Sequence, residues 1–234
     1  MSRVAIIPAR GGSKRIPRKN VKNFCGKPMI AWSIEAAISS ECFDKIIVST
    51  DDMEIAEISK KLGADVPFIR PNTLADDYAG TLPVIKHSVE WLRVHDFEVD
   101  YACCLYATAP FVNAQDLRRG WEALKKEECS YAFSVTNYAF PIQRAIRIAE
   151  NQRVSMFSPE CFHTRSQDLE EAWHDAGQFY WGTAEAWLEQ RPIFDVNSVA
   201  VKLPRYRVQD IDSQEDWIRA EFLFKAMKLQ SDNK

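Results

Sequence analysis

The chain of 234 residues contains no apolar run approaching the length of a membrane helix, which excludes a helical membrane span. Its start, Met1-Ser2-Arg3 followed by a short apolar segment, lacks the longer apolar stretch of a secretory leader, so the expected location is the cytoplasm. None of the six cysteines (Cys25, Cys42, Cys103, Cys104, Cys129 and Cys161) falls in a C-x-x-C pair, and the four histidines show no zinc-binding spacing. The expectation is reduced structural thiols and no zinc centre. At 46% apolar and 27% charged residues, a chain of this length buries a core without disulfide staples and reads as one soluble domain over residues 1–234. A net charge of −3 argues against general nucleic-acid binding.

A second absence is local. The first thirty-four residues contain no Asp or Glu but eight Lys and Arg, whereas the rest carries twenty-two basic and thirty-three acidic side chains. Within that opening an apolar strand ends in Pro8-Ala9-Arg10-Gly11-Gly12-Ser13-Lys14-Arg15-Ile16-Pro17-Arg18-Lys19-Asn20, with six cations between Arg10 and Lys22. Two glycines let a turn approach a ligand closely, Ser13 adds a hydroxyl donor, and successive N–H groups ringed by cations form an anion nest. Such a loop can wrap a polyphosphate; a solvated basic turn is the plainer alternative. Two familiar phosphate loops are excluded by spacing. Ile16 and Pro17 stand where G-x-x-x-x-G-K-[ST] needs glycine, and adjacent glycines cannot make G-x-G-x-x-G.

Periodicity predicts strands over residues 4–9, 45–49, 66–69, 101–106, 131–136, 176–181 and 199–203. Helices are predicted over 28–39 with Pro28 in the first turn, 52–62 ended by Gly63, 80–95, 114–126, and 213–228 opened by a capping box of Ser213 and Asp216. The last of these is expected to cover the sheet. Alternation of strand and helix means βαβ units and a mostly parallel sheet, with ligands beyond the carboxyl ends of the strands. Residues 137–171 break the rhythm. They hold Arg144, Arg147, Arg153 and Arg165 among scattered apolar residues and read as a protruding excursion. Near the far end, Asp210 and Asp212 lie two apart. In an extended segment both carboxylates face one way, which suits a hard cation such as Mg²⁺; alternatively Asp212 caps the terminal helix and Asp210 is solvated.

The loop, followed by Gly26-Lys27-Pro28-Met29-Ile30, resembles the N-terminal signature of sugar nucleotidyltransferases, and most closely that of the CMP-N-acetylneuraminate synthetase (acylneuraminate cytidylyltransferase) family. The resemblance continues through Val48-Ser49-Thr50-Asp51, Arg70-Pro71, Leu74-Ala75-Asp76-Asp77 and Asp210-Ile211-Asp212, nearly the whole chain. It implies an α/β, Rossmann-like, three-layer nucleotidyltransferase fold with a mostly parallel central sheet. It also implies Mg²⁺-dependent transfer of CMP from CTP to the anomeric hydroxyl of a nine-carbon acidic sugar, with release of pyrophosphate. Carried over by position, Arg10, Ser13 and Lys19 hold the triphosphate and Asn20 helps place the nucleotide. Ala9, Gly11, Gly12, Arg70, Asp77 and Thr81 complete that nucleotide site. Asp210 and Asp212 become the Mg²⁺ ligands and, with Arg10 and Lys19, the catalytic set. Relatives form homodimers in which the excursion reaches over the partner's site, the role implied for 137–171.

Two regions depart together from the sialic-acid pattern. Leu105-Tyr106-Ala107-Thr108-Ala109-Pro110 replaces Gln-Pro-Thr-Ser-Pro, and His174-Asp175-Ala176-Gly177-Gln178 replaces Arg-Pro-Asn-Gly. Both lie where the family meets its sugar, and together with Thr164–Leu169 and Arg191–Phe194 they resemble the branch of the family that activates pseudaminate. Legionaminate or N-acetylneuraminate is the alternative sugar, and a non-catalytic nucleotide-binding module the alternative class. The implied sugar contacts are Tyr106, Thr108, Arg165, His174, Asp175 and Tyr180. Arg70 or Arg165 would pair with the sugar carboxylate. Tyr106 and Tyr180 are equally readable as core aromatics, and His174 with Asp175 as a structural pair. No residue is assignable as general base.

Overall fold

The computed structural model describes residues 1–76 and 79–232, without the side chains of the last two. Six strands form the main sheet: β1 (Arg3–Pro8), β2 (Lys45–Ser49), β3 (Tyr101–Leu105), β4 (Tyr131–Asn137), β5 (Trp173–Thr183) and β6 (Ser198–Lys202). Their spatial order is β6-β4-β5-β3-β1-β2. β1 pairs in parallel with β2 and β3, and β4 with β6, while β5 runs antiparallel between β3 and β4. The helices are α1 (Met29–Ser40), α2 (Met53–Lys61), α3 (Thr81–Val94), α4 (Ala114–Glu127), the short α5 (Ala184–Leu188) and α6 (Gln214–Asp232).

The sheet is apolar on both faces because helices cover both. In β1, Ala5 and Ile7 pack with Ile30, Ile34 and Leu117 of α1 and α4, while Val4 and Ile6 face Ile85 and Val89 of α3 and Trp187 of α5. This is the three-layer α/β arrangement expected. The short α5 and the small ribbon of Asn23–Phe24 against Lys27–Pro28 were not legible in the periodicity. Residues 66–69 are not a strand. The chain there makes only isolated bridges, Asp65 with Ile47 of β2 and Ile69 with Thr50 just past it, because Pro67 between them has no N–H to donate. Pro28 precedes α1 as its N-cap residue rather than lying in the first turn. The terminal helix begins as expected: Ser213 donates to the Asp216 carboxylate, and Asp216 N–H donates back to Ser213 Oγ at 3.2 Å.

That helix does not cover the sheet. Both faces are already occupied, and α6 lays Trp217 and Ala220 against Ile16, Phe24, Met29 and Phe111. Phe24 meets Trp217 and Phe224 edge-on at 5.4 and 5.5 Å. A third core cluster therefore fastens the C-terminal segment to the basic loop. All six cysteines are free thiols, with Cys42, Cys103 and Cys104 buried. No helix among the described residues is long and apolar enough to cross a membrane. Residues 137–171 leave the sheet as a small ribbon, Ile146–Ile148 against Val154–Met156, with short 3-10 turns. Phe140, Ile148, Val154 and Phe162 stand exposed on it.

Candidate active site

β1 and β2 end side by side, and the residues after each hold one another. Gly11 N–H donates to Asp51 Oδ1 at 2.9 Å. Asp52 caps α2 by accepting Ile55 N–H at 3.0 Å and takes a two-armed contact from Arg18, at 2.5 and 3.1 Å. That pairing holds the Asp52 carboxyl below its ordinary value. The two glycines differ in what they do. A Cβ on Gly11 would lie 2.7 Å from Asp52 Oδ2, whereas one on Gly12 would meet nothing within 4 Å. Neither has a positive φ; the left-handed residue of the loop is Arg18, at φ 58°. Gly11 is thus required for close approach to Asp52, and Gly12 is not required by conformation.

Beyond these strand ends lies a cleft of about 490 Å³. Arg10, Lys14, Arg15, Lys19 and Arg70 line it, against one carboxylate among the described residues, Asp212. Ser13, Asn20, Thr81, Tyr106 and Thr108 also face it. Asn20 donates to the Arg10 carbonyl at 2.9 Å, bracing the loop across its neck. Ala9 is buried beneath, its N–H donating to the Ser49 carbonyl at 2.9 Å. Arg70 is 4% exposed; among the described residues its Nε and Nη2 have no hydrogen-bond acceptor, and Nη2 lies 3.7 Å from Asp51 Oδ1. Burial pulls its pKa down, Asp51 opposes and Arg10 reinforces; an arginine nevertheless keeps its charge. Buried cationic donors at a cleft wall call for an anion or a carbonyl oxygen. Asp77 lies outside the described residues.

A second cleft of about 640 Å³ adjoins the first, and Tyr106 lines both. His174, Asp175, Gly177 and Asp210 face it, with Arg205 and Arg219 as its cations. His174 Nδ1 lies 2.8 Å from the Asp175 carbonyl. Asp175 Oδ1 accepts Gly177 N–H at 2.8 Å, in a turn where Gly177 has φ +60°. Asp210 and Asp212 stand between the clefts. Lys19 donates to the Ile211 carbonyl at 2.6 Å and lies 3.5 Å from Asp212, which Arg15 approaches at 2.9 Å. Burial and then the Asp212 charge push the Asp210 carboxyl above its ordinary value, with Lys19 opposing. Asp212 does not cap α6; Ser213 does.

The structure brings together most of the residues singled out in the sequence. Arg165 is one exception: it sits on the excursion, paired with Asp168 at 2.7 Å and 72% exposed, and lines neither cleft of its own chain. Arg70 and Thr108 line the first cleft only. Tyr180 is 2% exposed and lines neither cleft. Sequence reasoning missed Arg205 and Arg219; the turn after β6 carries Arg205 to the second cleft and α6 carries Arg219. Among the described residues no three His, Cys, Asp or Glu side chains converge as a metal cage. Mg²⁺ needs no such cage, since it is commonly held by one or two carboxylates with substrate phosphates and water. Asp210, raised first by burial and then by the Asp212 charge, and Asp212 supply the one or two carboxylates of that donor set.

The Cytidylyltransferase family model matches residues 4–177. The pseudaminic acid cytidylyltransferase of Campylobacter jejuni subsp. jejuni is 47% identical over 225 residues, 96% of this chain and 97% of its own. The chain belongs to the cytidylyltransferase family. It is an enzyme of the nucleotidyltransferase class. The CMP-N,N'-diacetyllegionaminic acid synthase of Legionella pneumophila is 30% identical, over 95% of this chain and 96% of its own. A solved CMP:2-keto-3-deoxy-manno-octonic acid synthetase complexed with CTP is 16% identical, with TM-score 0.69 over 97% of this chain and all of its own; that likeness shows the fold. The family match ends before Asp210 and Asp212, so the nucleotidyltransferase completes its clefts with a segment held by α6.

Proposed function

We propose that this cytidylyltransferase transfers CMP from CTP to the anomeric hydroxyl of pseudaminate, giving CMP-pseudaminate and pyrophosphate. The observation that carries the reading is the pair of adjoining clefts, one strongly cationic and one mixed, meeting at Tyr106 with two carboxylates between them. The first cleft suits a triphosphate of about four negative charges. Arg10, Ser13 and Lys19 hold its β- and γ-phosphates and stabilise the charge that pyrophosphate carries as it leaves. Ala9, Gly11, Gly12, Asn20, Arg70, Asp77 and Thr81 complete the nucleotide side. The second cleft takes the sugar, with Tyr106, His174 and Asp175 facing it. Thr108, lining the first cleft, is retained as a sugar contact beside Tyr106. Arg205 and Arg219, rather than Arg70 or Arg165, face the sugar carboxylate.

The sugar hydroxyl attacks the α-phosphate in line, without a covalent enzyme intermediate. The residues above act by positioning both substrates and excluding competing geometries. Asp210 and Asp212 would hold Mg²⁺, which when bound shields phosphate charge from an oxygen nucleophile. Lys19, through the Ile211 carbonyl and Asp212, keeps that segment beside the triphosphate. Pseudaminate is preferred because identity to a named pseudaminate enzyme exceeds identity to a named legionaminate enzyme by 47% to 30%. The excursion's exposed apolar side chains favour a homodimer, working in the cytoplasm as a single domain per chain. The test is pyrophosphate release from CTP, Mg²⁺ and pseudaminate: release is expected with CTP and sugar together. Turnover without sugar, or none with it, rejects the reading.

A further inference from the structure

Tyr180 is buried on β5, yet it is tied to the second cleft. Its ring lies between Tyr106, at 5.3 Å between centroids, and Phe133, at 6.0 Å. Its hydroxyl donates to Asp175 Oδ2, while Asp175 Oδ1 accepts Gly177 N–H at 2.8 Å. Each carboxylate oxygen is therefore held by one donor. The strand pairing around it shifts register between Phe133 and Val135. There Ser134 Oγ accepts the N–H groups of Gln178 and Phe179 at 3.3 and 3.2 Å, anchoring the displaced backbone. On its other side lies Tyr106, whose hydroxyl is 2.9 Å from Thr81 Oγ1. Burial keeps the Tyr180 phenol protonated far above the usual tyrosine range, so it remains a donor. An ionised carboxylate offers about four acceptor positions and no donor. Asp175 spends two of them inside the protein and presents the rest to the cleft.

We propose that Tyr180 is a positioning residue that fixes Asp175 as the acceptor for a hydroxyl or acylamido N–H of the sugar, without touching the sugar itself. This rests on the assignment of the second cleft to the sugar. Tyr180→Phe keeps the ring and removes the one donor. It raises the sugar KM about tenfold, the size expected for a lost charge-assisted hydrogen bond, and leaves kcat and the KM for CTP within twofold. Asp175→Asn raises the sugar KM at least as far, and adding Tyr180→Phe to it changes nothing more. An unchanged sugar KM in Asp175→Asn overturns the proposal whether or not Tyr180→Phe folds. So does a lower melting temperature in Tyr180→Phe with unchanged sugar KM, or a double variant whose losses multiply. Wild type is assayed first: turnover with no sugar sinks the cleft assignment itself, whereas turnover with an unaltered sugar KM in the variants sinks the Tyr180–Asp175 role alone.

Discussion

Asp52 is where the basic loop is made. It caps α2, takes both arms of Arg18, and leaves Gly11 no room for a side chain. Gly11→Ala must push Asp52 or the loop aside. The expected result is a higher KM for CTP, by about tenfold, and a lower melting temperature, with Gly12→Ala near wild type in both. Equal effects from the two would contradict this account. The difference between the glycines was not legible in the sequence, since it depends on Asp52, far along the chain. The cations were legible because their excess is local and unbalanced. Asp210 gives a second residue-scale expectation. Its carboxyl is raised by burial and by Asp212, so the folded chain retains a proton that the unfolded chain has released. Stability is therefore lost as pH rises from the ordinary carboxylate value through the raised one. Asp210→Asn removes that loss. At neutral pH the melting temperature of the ligand-free protein does not fall, while Mg²⁺-dependent activity drops at least hundredfold.

The parallel strands could be read as elements because their apolar runs bury both faces and tolerate little ambiguity. The antiparallel β5 was legible only over its buried half; the polar half, with His174 and Asp175, follows the cleft instead of the core. The destination of α6 was not legible, because an apolar helix face does not name its partner. Its approach segment is fixed by Arg207, which grips the buried Asp116 and whose carbonyl accepts from Gln178 Nε2 at 2.5 Å. Asp116 is 2% exposed, and Arg119 also reaches it, at 3.1 Å. Arg207→Ala leaves that carboxylate with one partner fewer in a dry site. Chemical denaturation should show a loss of about 3 kcal/mol, and the KM for CTP should rise as Asp212 loosens from Lys19. A loss below about 1 kcal/mol would mean that Arg119 and water suffice.

At the scale of the molecule, the sheet carries two adjoining clefts at one end and an apolar excursion beside them. Exposed aromatic and aliphatic side chains at Phe140, Ile148, Val154 and Phe162 exceed what a surface ribbon ordinarily leaves uncovered. Light scattering is expected to give twice the chain mass of 26.9 kDa, and Phe140→Asp with Phe162→Asp to give a monomer of reduced activity. A wild-type monomer at micromolar concentration would remove the excursion from a dimer interface. The fold class followed from the alternation of strands and helices and the cationic cleft from the N-terminal loop. The identity of the sugar rests on two short segments, Tyr106 to Pro110 and His174 to Gly177, and on the named relatives. The most direct measurement is the specificity constant for pseudaminate, legionaminate and N-acetylneuraminate, from pyrophosphate release at saturating CTP and Mg²⁺. The account predicts that pseudaminate exceeds the other two by at least tenfold; equal constants, or preference for either competitor, would contradict it.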